Sequence, residues 1–229
     1  MKLIVFLTLL WSSLLAQVFT VYTEQLPPFN FIENDKVMGS STRLLEALFK
    51  KSGHALAQGK INLVPWSRGY HEALTTQNTI LYSMARTPER EDLFKWVGPV
   101  NKLTIGLIAK KASRVVVNKP ACLNNYTIAV MHDTASETIL KNLGMKSANM
   151  ERFSNPLAQI KKLHEGRVDA MAFGVEGMYQ MLSAAGIDPS LYETVYVLKQ
   201  SDLYFAFHKE TDDALIKELN EILKTITHF

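Results

Sequence analysis

Five consecutive residues, Arg86-Thr87-Pro88-Glu89-Arg90, set two guanidinium groups just beyond a short apolar run at 79–83. That run reads as a strand and Pro88 as the start of a helical turn, so both cations stand near a strand's carboxyl end. A planar guanidinium there can grip a carboxylate through two parallel hydrogen bonds. A solvated charge run accounts for the same cluster equally well. Upstream, Trp66 lies in Pro65-Trp66-Ser67-Arg68 just after another strand, and Phe29 and Phe31 lie in a proline-rich loop. Aromatic rings on loops line pockets and stack on ligands; Trp66, beside Ser67 and Arg68, suits a site, whereas Phe31 reads as a core plug.

Thr134-Ala135-Ser136-Glu137 has the T-x-x-E spacing of a capping box, which delivers the chain from a strand into a helix N-terminus. Free N–H groups and the positive end of the dipole make such a terminus an anion site, and Thr134 serves as a plain cap at the same time. Asp133 beside it opposes an anion and favours a cationic group. The sequence holds no G-x-S-x-G, G-x-x-x-x-G-K, G-x-G-x-x-G or H-E-x-x-H. Its six histidines fall at 54, 71, 132, 164, 208 and 228, without metal-binding spacing, and Cys122 is the single cysteine. No metal site, cofactor or internal disulfide is read from it.

The elements that must position these residues alternate apolar β-rich runs with amphipathic helices, which argues for α/β layers. Strands are expected at 18–22, 61–64, 79–83 and 104–109, with a loop over 26–39, a helix over 44–53 and a short helix near Tyr70. A second βα series starts with a strand at 126–130, then a helix at Ala135 and another opening at Asn155-Pro156, followed by a strand at 170–173 and a helix at 178–185. Strands at 194–198 and 203–207 precede a last helix capped by Thr211. Two such series suggest two small lobes, with ligands at the strands' carboxyl ends in the cleft between them.

The chain has 229 residues, 47% hydrophobic, with Lys+Arg 25 against Asp+Glu 22 and a net charge of +3. Collagen-like, disordered and disulfide-dense classes are excluded, and so weak a charge balance gives no field for a nucleic acid. Residues 1–16 run from Lys2 through an apolar stretch to Ser12, Ser13 and Ala16. That is the shape of a secretory signal peptide, too short for a membrane span, with cleavage expected after Ala16. No cysteine near that point calls for a lipid anchor.

Together these residues resemble the family 3 extracellular solute-binding proteins, receptors of polar amino acid ABC transporters. Leu26-Pro27-Pro28-Phe29 is similar to the family's first ligand loop and Met38-Gly39 to the turn before its first helix. Trp66 matches its stacking aromatic. The signature stretch runs from Ser83 through Thr87-Pro88-Glu89-Arg90 to Phe94, Trp96 and Gly98-Pro99, and 123–138 resembles the second-lobe strand, loop and helix. The resemblance implies a two-lobed periplasmic binding protein fold of type II: a signal peptide over 1–16, one lobe from 17–105 with 200–229, the other from 106–199, and two hinge strands. It further implies that Arg90 binds a ligand carboxylate with Ser83 and Thr134, that Trp66 stacks on the ligand, and that Leu26 walls the pocket, with Arg68 and Arg86 as further ligand-binding candidates. The family's ammonium-binding Asp falls at Gly174, leaving Glu176 or Asp133 to take that part, and the usual second-lobe glycine is Asp133. The expected function is a monomeric periplasmic receptor that closes over a small carboxylate-bearing solute for an ABC permease, without catalysis. Two alternatives are a cyclohexadienyl-dehydratase-like enzyme, with Glu176 or His132 as acid or base, and a ligand-sensing module.

Overall fold

The computed structural model describes residues 16–227; the expected leader over 1–16 lies outside the described residues except for Ala16. In chain order the elements are β1 (Val18–Thr23), β2 (Phe31–Glu33), β3 (Lys36–Met38), α1 (Ser40–Ser52), β4 (Ala55–Leu63), α2 (Trp66–Thr75), β5 (Thr79–Ala85) and β6 (Phe94–Lys110). There follow β7 (Ile128–Met131), α3 (Ala135–Asn142), β8 (Met150–Phe153), α4 (Pro156–His164), β9 (Ala170–Gly174), α5 (Val175–Ala184), β10 (Tyr192–His208) and α6 (Asp213–Ile226). A 3₁₀ turn, Pro88–Leu93, links β5 to β6.

Among the described residues eight strands form one sheet in the order β4-β1-β5-β10-β6-β9-β7-β8, and β2 pairs with β3 in a separate hairpin. The first lobe is built on β1 running parallel to β4 and β5, the second on β7 running parallel to β8 and β9. β6 and β10 pair antiparallel from Phe94 with His208 to Lys110 with Tyr192 and run through both. β10 pairs with β5 over 203–207, and β6 with β9 over 105–109. Between those stretches, 200–202 and 102–104 pair with each other alone among the described residues.

The strand expected at 104–109 is thus one end of a 17-residue strand, and those expected at 194–198 and 203–207 are one strand, also of 17 residues. Pairing slips three times along the ribbon, between Thr194/Tyr196, Val197/Lys199 and Leu203/Phe205. Each slip resets the two-residue alternation, and Lys199, Gln200 and Asp202 are exposed where the ribbon crosses between lobes, so the apolar pattern lapses although pairing continues. Within the 26–39 loop, β2 and β3 turn through Asn34-Asp35, both at positive φ (48° and 60°), the geometry of a tight hairpin turn.

β5 is buried at all seven positions, as befits a strand covered on both faces. Phe19 of β1 meets Phe49 of α1 at 5.8 Å and Phe207 of β10 edge-on at 5.5 Å, tying the first lobe's core together. Gly39, at φ 123°, precedes α1 where a Cβ would stand 2.2 Å from the Phe29 carbonyl oxygen, so only glycine lets the ligand-loop backbone lie against the helix start. α6 is capped by Asp212, which accepts from Ala214 N–H at 2.6 Å, rather than by Thr211: the carboxylate stands one residue nearer the first helical turn.

Candidate functional site

Strand β5 ends at Ala85, and the following 3₁₀ turn swings Arg90 inward until it is only 5% exposed. Its guanidinium donates to the Ala85 carbonyl at 3.2 Å and to the Asp133 carbonyl of the second lobe at 2.6 Å. It lies 5.4 Å from the Trp66 ring centre and 5.3 Å from that of Tyr70, two stacked rings on α2. Trp66 Nε1 donates to the same Asp133 oxygen at 2.9 Å. One second-lobe carbonyl therefore receives both polar donors that the first lobe extends across the cleft. Burial pulls the Arg90 pKa down, while Tyr70, Glu24 and Glu89 counter it.

The loop that offers this carbonyl is held from behind. Thr134 caps α3 by accepting from Glu137 N–H at 3.4 Å and gives its own hydroxyl proton to the Met131 carbonyl at 2.9 Å. Glu137 reaches back one residue beyond the usual capping box, accepting from Asp133 N–H at 2.9 Å. Burial opposes the Glu137 charge, but hydrogen bonds from Lys141, Arg152 and the Asp133 N–H prevail and hold the carboxyl at about 2. Asp133 itself sits in the left-handed region at φ 59°, a conformation that favours glycine.

Leu26, Trp66, Ser83, Arg90 and Thr134 line one cavity of about 50 Å³ between the lobes, with the first residues of α3, Ala135 and Ser136, facing it. A water occupies about 30 Å³ of liquid, so the chamber as it stands holds a water or two. Gly174 is also in its wall, and a Cβ there would stand 2.7 Å from Leu103 Cδ1. Four other candidates lie apart from it. Arg68 is exposed on α2, and Glu176 is exposed in the first turn of α5. Arg86 is exposed, ion-paired with Glu91 and flanked by the Trp96 and Tyr204 rings at 5.6 and 5.5 Å. Asp133 contributes its carbonyl while the residue itself is exposed.

Ser83, at φ 61°, donates to Ser41 Oγ at 2.9 Å, and Asn101 Nδ2 donates to the same oxygen at 2.8 Å. This chain of hydrogen bonds runs from the chamber through the start of α1 to β6, just before the ribbon crosses to the second lobe.

Glu24, which follows β1, is the chamber residue that sequence reasoning missed. It is 8% exposed and lines the wall with Arg90, and its Oε2 has no hydrogen-bond partner. Burial pushes its carboxyl up to about 8, outweighing the charge of Arg90. The available signal was positional: a lone carboxylate immediately after an apolar strand, at the end where α/β ligands collect.

The sequence profile of the bacterial extracellular solute-binding proteins, family 3, matches residues 19–228. The Bacillus subtilis (strain 168) protein described as probable amino-acid-binding protein YxeM is 23% identical over 201 residues, spanning 84% of this chain and 75% of that protein. Among solved structures, holo ArgBP from T. maritima superposes with a TM-score of 0.78 at 19% identity, covering 91% of this chain and 90% of its own. A histidine kinase sensor domain with similarity to periplasmic binding proteins superposes with the same TM-score, 0.78, at 16% identity and 90% coverage of both chains. The fold in common is the two-lobed periplasmic binding protein architecture.

Proposed function

We propose that this chain, which belongs to the bacterial extracellular solute-binding proteins, family 3, captures a small carboxylate-bearing solute, an amino acid or similar, by closing its lobes, and passes it to a membrane ABC permease. It works as a monomer in the periplasm and forms no covalent bond to its ligand. The reading divides the chain into a leader over 1–16, one lobe from 17–105 with 200–229 and a second from 106–199.

The observation that carries this reading is Arg90: a guanidinium 5% exposed at the lobe boundary, facing a cavity and bonded across it to a carbonyl. A ligand carboxylate brings full negative charge to the position that the Asp133 oxygen fills with a partial one, and a charge-assisted bidentate pair outcompetes a single neutral acceptor. Lobe opening breaks the two bonds to Asp133 and admits the solute; closure then converts contacts from both lobes into a population shift. The amino-acid class is supported by the family and by the description of its Bacillus subtilis relative.

Mass spectrometry of solutes retained by the purified protein identifies the ligand, and calorimetry on Arg90→Ala then tests the clamp. Removing the partner of a desolvated carboxylate costs about 2–5 kcal/mol, or about 30-fold or more in affinity. Arg86→Ala, which removes an exposed ion pair, is expected to change affinity less than about fivefold. Wild-type affinity in Arg90→Ala overturns the carboxylate reading.

A further inference from the structure

A second and far larger space shares Glu24 and Trp66 with the Arg90 chamber. It is a groove of about 610 Å³ between the lobes, walled by Leu63 and Val64 from the first lobe and by Met131, Leu157 and Met181 from the second. Its size falls within the range of about 300–1,000 Å³ typical of small-molecule sites, whereas the chamber beside it, at about 50 Å³, does not. Two large apolar side chains stand exposed at it, Ile32 at 51% and Leu157 at 56%, one from each lobe. Water gains little from such a surface, and an apolar body laid between them removes both from solvent.

Glu24 is the single charged residue in the groove lining, and it lines the chamber too. Its side chain is buried with Oε2 unpartnered, while its backbone is fixed by Asn30, whose Nδ2 donates to the Glu24 carbonyl at 2.6 Å. A buried carboxyl oxygen without a partner is costly, and an incoming cation relieves it by donating to it in place of the proton that the buried carboxyl otherwise retains. The chamber that Glu24 also lines offers a binder of the opposite kind, the cationic Arg90, which suits an anion. Together they form a paired head-group site opening onto an apolar trough.

We infer that the groove is the side-chain half of the ligand site, and that the solute is an amino acid with an aromatic or branched aliphatic body whose ammonium is received by Glu24. The inference rests on the proposed function for its carboxylate end, on Arg90, but the groove and Glu24 can be tested without that end.

The probes are L-phenylalanine, L-alanine, 2-phenylethylamine, which lacks the carboxylate, and 3-phenylpropionate, which lacks the ammonium, titrated into the full chain by calorimetry. Phenylalanine is expected to bind at least tenfold more tightly than alanine. Leu157→Glu and Ile32→Glu, both at exposed positions that folding tolerates, should reduce that preference at least tenfold. Glu24→Gln should weaken 2-phenylethylamine at least tenfold and 3-phenylpropionate less than twofold. If alanine binds in an Arg90-dependent way but phenylalanine binds no better and the groove variants change nothing, the inference fails and the proposed function stands. If 2-phenylethylamine binds through Glu24 while no carboxylate depends on Arg90, the groove stands and the carboxylate reading fails. If none of the four probes binds, the inference is overturned, and the solute retained by the purified protein then judges the proposed function alone.

Discussion

The proposed closure of the lobes can be obstructed at a single atom. Gly177 lies in the first turns of α5, and a Cβ built there would stand 2.6 Å from the backbone oxygen of Pro27, which belongs to the loop after β1 in the other lobe. Ordinary contact begins near 3.4 Å, so Gly177→Ala requires the lobes to part by about 0.8 Å at that point, and a backbone carbonyl cannot swing aside as a side chain would. The other neighbours of the new methyl, Phe173 Cε1 at 3.6 Å and Leu26 Cδ1 at 3.7 Å, already sit at contact distance. Overpacking of this kind costs about 1–3 kcal/mol, here charged to the closed arrangement alone, which lowers the closed-to-open ratio by about five- to 150-fold. Alanine in a helix is meanwhile favoured over glycine by about 0.5–1 kcal/mol, so the melting temperature should hold or rise. Opening breaks the bond from Trp66 Nε1 to the Asp133 oxygen, so iodide quenching of Trp66 fluorescence should increase, the radius of gyration from X-ray scattering should grow, and ligand affinity should fall by a similar factor. Unchanged quenching, scattering and affinity would refute the argument. A fall of several degrees in melting temperature would do so too, by showing that the clash lies within one lobe.

Glu137, held at about 2 against an ordinary 4.5, stabilises the fold fully above about pH 4.5, and that contribution drains away as pH falls toward 2; in urea titrations at stepped pH, Glu137→Gln should flatten the acid limb. Glu24 has the opposite sign: raised from 4.5 to about 8, it keeps a proton in the folded state that the unfolded chain releases, so stability should decline with rising pH across that interval. Glu24→Gln should remove the slope, as denaturation at pH 5 and at pH 8.5 would reveal. Asn220 of α6 accepts from Gly98 N–H at 3.1 Å and donates to the Trp96 carbonyl at 3.0 Å, so Asn220→Ala should cost about 1–3 kcal/mol in guanidinium denaturation by leaving β6 groups unpaired.

Local signals carried much of the architecture into the sequence. Asn155-Pro156 opens α4 with the Asn155 side chain accepting from Leu157 N–H at 2.8 Å, and Gly53 ends α1 in the left-handed conformation at φ 76°. What stayed illegible depends on distant contacts. Arg86 and Arg90 are four residues apart in one run, and nothing local separates them; the turn between them sends one into the cleft, while Glu91, Trp96 and Tyr204 hold the other outside. Asp133 meets the cleft through its main-chain oxygen, a contact to which residue type is nearly blind. Glu24 is 8% exposed and shares the chamber wall with Trp66, Arg90 and Thr134, which come from separate stretches of the chain, so its sequence neighbours gave no hint of desolvation.

The placement of β10 between β5 and β6 also dictates an order of assembly. The strands β6, β9, β7 and β8 are all synthesised before β10 and can zip together without it. The set β4, β1 and β5 has to wait: its only bridge to β6 among the described residues is the stretch 203–207 of β10, the last strand in chain order. A chain emerging from a ribosome or a translocation channel N-terminus first therefore presents β4, β1 and β5 with an unfilled edge until β10 has cleared. The strands made before β6 are completed only after those made behind it.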